Sequence, residues 1–112
     1  MRISWYSIIT FLFLLSGCRP QDVQVTITYD KNPSNGFPYI YYGETAKIYY
    51  TIGAQNFEKT VQIHRSIQFV VPEKTDIRIT YDKFISDQSG QRSTLEDAYY
   101  KVKSSTPAFV VK

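Results

Sequence analysis

The sequence is poor in the residues that build metal sites, disulfides and most nucleophilic centres. It contains one cysteine, Cys18, and one histidine, His64. A structural zinc site needs clustered Cys and His ligands, so we do not expect one, and a single thiol forms no disulfide within the chain. A catalytic triad needs a histidine base beside a nucleophile. His64 is the single candidate for that base, and nothing else in the sequence supports such a site.

Several other signatures of enzymes and nucleic-acid-binding proteins are missing as well. No glycine-rich phosphate loop is present, and the acidic segment 82–90 lacks the regular acid spacing of a calcium loop. The adjacent carboxylates Glu96 and Asp97 would point apart on a strand, which does not suit a glycosidase. The net charge is only +3, without runs of like charge, and this gives nucleic-acid binding little support. We therefore expect a non-enzymatic protein without a cofactor or metal ion.

The first 17 residues have the organisation of a secretory signal peptide. Arg2 is their only charge, a mostly apolar stretch extends from Ile3 to Leu15, and Ser16 and Gly17 follow it. A basic start, a short apolar stretch and small residues are the three parts of such a signal. The stretch is too short to span a membrane comfortably, because that takes about 20 apolar residues. We predict that residues 1–17 are a signal peptide and are removed.

The position of the single cysteine indicates the kind of signal. Leu15-Ser16-Gly17-Cys18 resembles the lipobox of bacterial lipoproteins. The resemblance implies cleavage before Cys18, a diacylglycerol on its sulfur and acylation of the new amino group. Two or three acyl chains hold a protein firmly at a membrane. An ordinary secretory signal and an uncleaved anchor are the alternatives. Arg19, rather than Asp, follows the cysteine, which implies the outer membrane if the host is Gram-negative.

Residues 18–22 are then the lipidated cysteine and a short tether, and residues 23–112 are a single domain. The four residues 19–22 span about 14 Å at about 3.5 Å each. The tether therefore holds the domain against the membrane surface. A partner must come to the membrane or already be part of it.

Alternation of apolar and polar residues predicts an all-β domain. Strands with one buried face have this period of two, and it is clearest in segments 23–29, 45–52 and 76–81. Turn-forming residues separate the apolar segments at 30–38, 53–56, 72–75 and 86–94. About seven short strands predict a small antiparallel β-sandwich, immunoglobulin-like in the broad sense.

Three features leave alternatives open. Segment 57–71 is long for one strand, and a turn at residues 64–66 would pair its two halves as a hairpin, while a single bent strand is the alternative. Segment 95–100 follows a helix-capping pattern and could begin as a helical turn. The sequence ITYDK occurs at 27–31 and again at 79–83. This repeat is either a duplication or two ordinary strands that end in the same turn signal.

Aromatic residues are the one class above background, at 16% of the chain. Their densest cluster supplies the candidate binding residues Phe37, Tyr39, Tyr41 and Tyr42. Exposed tyrosines offer rigid contact area with a polar tip, which suits protein or sugar binding. Tyrosine is also a good strand residue and is common at the level of lipid headgroups, so both structural roles stay open.

Together these features predict a membrane-anchored lipoprotein of the cell envelope that binds an envelope protein and has no catalytic activity. The alternative is a carbohydrate- or peptidoglycan-binding lipoprotein, with Tyr39, Tyr41 and Tyr42 as a stacking platform. Segment 32–38, which follows a β-segment behind a lipobox, resembles the early part of the small β-sandwich lipoprotein of type VI secretion systems. That resemblance implies anchoring of a membrane complex through a protein partner. An exclusion or inhibitor lipoprotein that acts on an incoming protein fits equally well.

Overall fold

The computed structural model describes residues 21–112, which form two β-sheets packed face to face. Seven strands follow one another along the chain: β1 (Asp22–Tyr29), β2 (Tyr39–Ile52), β3 (Gln55–Gln62), β4 (Arg65–Pro72), β5 (Asp76–Asp87), β6 (Gly90–Lys101) and β7 (Ala108–Val111). The sheets have the orders β4-β1-β7 and β3-β2-β5-β6. The predicted all-β sandwich of about seven strands is confirmed. The predicted signal peptide and Cys18 lie outside the described residues.

Within residues 21–112, no helix is long and apolar enough to cross a membrane.

The core consists of the apolar side chains at alternate strand positions. On β1, for example, Val25, Ile27 and Tyr29 are completely buried, and the intervening polar residues lie on the other face. The corresponding rows of β2 and β5 end in Tyr50 and Tyr81, which are also buried. Complete burial of a Val, Ile or Leu side chain stabilises a fold by about 1.5–3 kcal/mol. Residues 21–112 contain no cysteine and so no disulfide, and packing of this kind therefore stabilises them.

β3 and β4 follow each other in the chain but belong to different sheets. β3 pairs with β2, placing Val61 opposite Ala46, whereas β4 pairs with β1, placing Ile67 opposite Ile27. The predicted division of segment 57–71 into two strands is correct, but the hairpin pairing between them is wrong. β3 and β4 each have a row of apolar side chains that faces the core. These two rows pack against each other from opposite sheets and are not neighbours within one sheet. The ring of Tyr50 accordingly lies between those of Phe57 and Phe69, at 5.1 and 4.9 Å.

β5 and β6 form a long hairpin whose turn contains only Gln88 and Ser89. The helical turn predicted for segment 95–100 is wrong, because this segment belongs to β6. The predicted polar turn at 86–94 is likewise strand on both sides of these two residues. Alternation is weak around the turn, at residues 83–94, because neither face of this part of the hairpin is covered by the other sheet. The sequence therefore lacks the apolar row by which a strand is usually recognised.

The last strand, β7, runs parallel to β1, and Ile27 lies beside Phe109. All other strand pairs are antiparallel. The two copies of the ITYDK repeat lie on β1 and β5, which are in different sheets. The rings of Tyr29 and Tyr81, the third residue of each copy, are 5.5 Å apart across the core. The equivalent residues of the repeat thus face each other and occupy the same kind of buried position.

The four-stranded sheet extends beyond the three-stranded sheet at one end. β1 ends at Tyr29, level with Tyr81, but β5 continues to Asp87. At about 3.3 Å per residue, this adds about 20 Å of strand. Residues 39–42 of β2 pair with residues 83–86 of β5 in this region, beyond a bulge that separates Tyr42 from Ala46. We call these residues, with 90–94 of β6, the projecting segment.

Candidate binding surface

The projecting segment has an aromatic outer face, turned away from the three-stranded sheet. Tyr41 lies opposite Phe84 on the neighbouring strand, and their rings stack at 4.9 Å with an interplanar angle of 16°. Tyr39, two residues earlier, is on the same face because side chains alternate along a strand. Phe37 meets Tyr39 edge-to-face at 5.6 Å. We call Phe37, Tyr39, Tyr41 and Phe84 the aromatic strip.

Three of the four rings of the aromatic strip are exposed, and Phe84 is partly buried. Phe37, Tyr39 and Tyr41 each expose more than half of their surface, at 56%, 56% and 53%. Exposed contiguous apolar area on a soluble domain marks a binding site more often than isolated exposed residues do. The arrangement therefore offers a rigid apolar surface with phenol hydroxyls at its margin.

Ser34 holds the loop that brings Phe37 to Tyr39. Its hydroxyl oxygen accepts a hydrogen bond from the Ile40 N–H at 2.8 Å and lies 3.0 Å from the Pro38 carbonyl, to which it can donate. The Ser34 N–H donates to the Ile40 carbonyl at 2.9 Å. These bonds fold the loop back onto the start of β2. Phe37 is thus positioned by the hydrogen bonds of Ser34 and not by burial of its own ring.

Tyr42 lies on the opposite, inner face of the same strand. Its ring packs edge-to-face against Tyr81 at 6.0 Å, and the ammonium group of Lys31 lies over both rings, at 5.0 and 5.4 Å. The structure therefore brings Phe37, Tyr39 and Tyr41 together and separates Tyr42 from them. Tyr39, Tyr41 and Tyr42 do not form one stacking platform, because consecutive strand residues point to opposite faces.

Buried phenols join the projecting segment to the core. The Tyr29 hydroxyl donates to the carbonyl of Gly43, in the bulge, at 2.8 Å. Burial, with smaller effects of Asp82 and Tyr42, raises the pKa of Tyr29 to about 12. Burial and the nearby carboxylate of Glu96 raise the pKa of Tyr81 to about 12. Both phenols therefore stay protonated at neutral pH, and the Tyr29 hydroxyl fixes the backbone at the bulge.

Two ion pairs lie on the inner face of the β5–β6 hairpin. Lys83 Nζ is 3.0 Å from Glu96 Oε1, and the hydrogen bond from Lys83 holds the pKa of Glu96 below its usual value. Arg92 contacts both carboxylate oxygens of Asp87, at 2.7 and 3.0 Å. The hydrogen bond from Arg92, followed by the one from the Ser89 N–H, lowers the pKa of Asp87. Both pairs cross between the two strands and limit their relative movement.

A shallow hollow of about 240 Å³ lies beside the stacked pair of Tyr41 and Phe84. Its remaining lining is mostly polar and consists of Ile85, Ser86, Gln91, Arg92 and Ser93. The hollow thus combines an aromatic edge with several hydrogen-bonding groups. Phe84 is not among the candidate residues of the sequence analysis, because it lies next to the predicted turn segment 86–94 and beyond the last clear alternation at 76–81. The sequence contains one signal for Phe84: residues 82 and 83 are polar, whereas residues 84 and 85 are apolar.

His64 lies in the turn between β3 and β4, with a backbone φ of 63°. The Nδ1 atom of its ring is 2.8 Å from Asp30 Oδ1, and its backbone N–H donates to the Tyr29 carbonyl. These contacts give His64 a role in closing the turn. Among residues 21–112, no three His, Cys, Asp or Glu side chains cluster in a way that could hold a metal ion.

Comparison with known proteins identifies no relative of this chain: no protein-family model, no curated protein and no solved structure matches it. The lipoprotein and type VI resemblances therefore remain predictions from the sequence. Function has to be argued from the placement of the residues themselves.

The aromatic strip and the start of the domain lie in different layers and at opposite ends of the sandwich. Gln21 precedes β1 of the three-stranded sheet, and its carbonyl accepts a hydrogen bond from the Glu73 N–H at 2.8 Å, close to where β5 begins. Phe84 is eight residues along β5 from Asp76, or about 26 Å. A tether that leaves at Gln21 therefore keeps the aromatic strip away from its attachment point.

Proposed function

We propose that this protein is a lipid-anchored protein of the cell envelope that binds a protein partner through the aromatic strip, without catalysing a reaction. The observation that carries the proposal is the placement of three exposed rings and Phe84 on one face, at the end opposite Gln21. An anchor at one end and a binding surface at the other are what an adaptor at a membrane needs.

The chemistry of the strip favours a protein partner. Aromatic side chains are enriched at the centres of protein interfaces, where they give large contact area at low conformational cost. Polar side chains border the strip on the same face, among them Ser86, Gln91 and Ser93, and such a border suits the rim of an interface. A stable interface covers about 800 Å² on each partner. The partner should therefore also cover the outer face beyond the strip, towards the exposed Leu95.

The anchor determines where this binding takes place. Acylation of Cys18, three residues before Gln21, would hold the domain at the membrane, and at the outer membrane if the host is Gram-negative. A type VI-like anchoring role and an exclusion or inhibitor role are both special cases of this function. They differ in the partner: a component of a resident membrane complex in the first case, and an incoming protein in the second.

The test is a crosslinking pull-down of the tagged protein from membranes. Wild type is compared with Cys18→Ala, with Tyr41→Ala and with Tyr99→Ala, an exposed tyrosine on the same sheet face but outside the strip. The proposal expects one envelope protein to be enriched with wild type and Tyr99→Ala and lost with the other two. Equal enrichment with Tyr41→Ala and Tyr99→Ala would contradict the assignment of the strip.

Carbohydrate or peptidoglycan binding is the second candidate, and one observation favours it. The stacked rings of Tyr41 and Phe84 adjoin a hollow that includes the hydroxyl-bearing Ser86 and Ser93 and the amide-bearing Gln91, and this combination can stack against a sugar ring and bind its hydroxyls. Sedimentation with purified cell wall separates the two candidates. A glycan-binding protein would pellet with the wall, and Tyr41→Ala would stay in solution. A protein-binding module would not pellet in either form.

A further inference from the structure

β6 forms an open edge of the four-stranded sheet. It is 12 residues long, and among the described residues it pairs only with β5. The β5–β6 register continues without a bulge from Asp76–Lys101 to Asp87–Gly90. Natural edge strands are commonly protected by charged side chains, above all lysine, by proline or by a bulge. Residues 91–99 of β6 contain no lysine, proline or bulge, and their charges are Arg92, Glu96 and Asp97. This stretch can therefore pair with another strand whose charges are complementary.

The hydrogen bonds at the end of β6 show which of its backbone groups are directed outwards. The Val102 N–H donates to the Thr75 carbonyl at 2.9 Å, and the Val102 carbonyl accepts from the Lys74 N–H. Residue 102 is thus bonded towards β5, and along an antiparallel strand this direction alternates. Even-numbered residues of β6 therefore bond to β5. The N–H and C=O groups of Gln91, Ser93, Leu95, Asp97 and Tyr99 point to the open edge.

Two large apolar side chains on this edge strand are exposed. Leu95 and Tyr99 are the two most exposed large hydrophobic residues among the described residues, at 70% and 69%. Both lie on the outer face of the sheet, in the row of odd-numbered β6 residues. A further strand added at this edge would cover part of each side chain and would also satisfy the outward backbone groups.

We propose that the open edge binds a second copy of this chain, so that the two β6 strands pair antiparallel about a two-fold axis at Thr94. This register sets Arg92 of each copy opposite Glu96 of the other. It sets no like charges opposite each other, whereas an axis at Glu96 or Asp97 would place two carboxylates face to face. Opposite charges on facing strands stabilise a pair, and like charges destabilise it.

The existing ion pairs extend this complementarity across four strands. Glu96 is already bound to Lys83, and Arg92 to Asp87, on the inner face of each hairpin. In the paired copies, a row of charged side chains crosses the four strands: Lys83 and Glu96 of one copy, then Arg92 and Asp87 of the second copy. The charges along this row alternate in sign. The two-fold axis repeats the row in the other direction. A network of this kind is worth more than an isolated surface ion pair.

The pairing makes one continuous sheet of eight strands. The two-fold axis of an antiparallel strand pair is perpendicular to the sheet, so the aromatic strips of both copies lie on the same outer face. The two Gln21 ends are then at opposite ends of the dimer, in the layers behind that face. When those layers face a membrane, both tethers reach it and both strips point away. This orientation rests on the proposed anchor, but the strand pairing itself does not.

A cysteine at the axis tests the register directly. In the proposed dimer Thr94 faces Thr94 in a pair without mutual backbone hydrogen bonds, with Cα atoms about 4.5 Å apart, which a disulfide can bridge. Membranes that contain the full chain with Thr94→Cys are treated with a mild oxidant and analysed on a non-reducing gel. The matched control is Gln91→Cys, because two Gln91 residues are about 20 Å apart in this register. The parent chain controls for Cys18.

The expected result is a disulfide-linked dimer with Thr94→Cys, at least five-fold more abundant than with Gln91→Cys or the parent chain. Equal crosslinking of both variants, or none with Thr94→Cys, would overturn the register.

A proline variant tests the pairing without a new thiol. The Ser93 N–H points to the open edge, so Ser93→Pro removes no bond of the monomer but blocks an added strand. The detergent-solubilised full chain, measured by light scattering after size exclusion, should be dimeric for the parent and for Ser93→Ala, and monomeric for Ser93→Pro. A monomeric parent, or a dimeric Ser93→Pro, would overturn the proposal. Tyr41→Ala should remain dimeric, so this outcome is separate from the test of partner binding.

Discussion

Tyr41 and Tyr42 are neighbours in the chain, but their rings lie on opposite faces of one sheet. Tyr41 stacks on Phe84 on the outer face, whereas Tyr42 packs on Tyr81 beneath Lys31 on the inner face. One residue therefore belongs to the proposed binding surface, and its neighbour belongs to the structure that supports that surface. This separation allows binding and stability to be tested independently.

Tyr42→Ala should destabilise the fold much more than Tyr41→Ala does. Tyr42 is half-buried against the core, so its truncation should lower the free energy of unfolding by about 2 kcal/mol. Tyr41→Ala removes only one exposed ring stack, which should lower the free energy of unfolding by about 0.5–1 kcal/mol. Urea denaturation of both variants measures the difference. Equal losses would show that the two rings are not divided between an exposed and a supporting face.

Tyr29→Phe should weaken the junction between the core and the projecting segment. The substitution removes the hydroxyl that donates to the Gly43 carbonyl and leaves the ring in place. We expect a loss of about 1 kcal/mol in the free energy of unfolding. Tyr39→Phe is the matched control, because that exposed ring has no comparable role in the fold. Unchanged stability of Tyr29→Phe would mean that the bulge is fixed by other contacts.

Stability should fall at alkaline pH because of Tyr29 and Tyr81. The pKa of each phenol is about 12 in the folded chain, raised by burial from its ordinary value of 10.0. A group whose pKa is raised by folding contributes stability that is complete below the unfolded pKa and is lost as pH rises through the folded pKa. The free energy of unfolding should thus decrease between pH 10 and 12. Denaturation curves across this range, repeated with Tyr81→Phe, should show a shallower decrease for the variant.

The Lys83–Glu96 pair predicts a separate loss of stability in acid. The pKa of Glu96 is lowered from 4.5 in the folded state, chiefly by the hydrogen bond from Lys83. Its contribution is therefore present above the unfolded pKa and is lost as pH falls through the folded one. The stability difference between wild type and Lys83→Met should shrink as pH is lowered from 6 to 3. A difference that stays constant over this range would rule out a contribution from the ion pair.

Local patterns in the sequence were sufficient to predict the sandwich wherever two sheets cover each other. The alternation of Val25, Ile27 and Tyr29 directly records burial of one face, and the same holds for Ile77, Ile79 and Tyr81. The same alternation separates Tyr41 from Tyr42, and the predicted platform of Tyr39, Tyr41 and Tyr42 was wrong because it disregarded this. Beyond Tyr81 the sheet is covered on neither side, so no such pattern identifies the first half of β6 or the second half of β5 as strands.

Long-range pairing lay beyond what a local pattern can specify. Val61 and Phe69 have the spacing of a hairpin, but their strands bind to β2 and β1, which are separated from them in the chain. That choice depends on how well complete rows of side chains pack, including the stack of Tyr50 between Phe57 and Phe69. Phe84 was missed for the same reason, because its role depends on Tyr41 of another strand.

Site-specific photocrosslinking tests most directly whether the aromatic strip binds a partner. A photoreactive phenylalanine is placed at Tyr39 in one variant and at Val70 in another, in cells that produce the full chain. Val70 is a suitable control because it is equally exposed, at 58% against 56%, but lies on β4 of the other sheet. We predict that illumination joins the Tyr39 variant to one envelope protein and leaves the Val70 variant without that product. The same product from both positions, or from Val70 alone, would contradict the proposed surface.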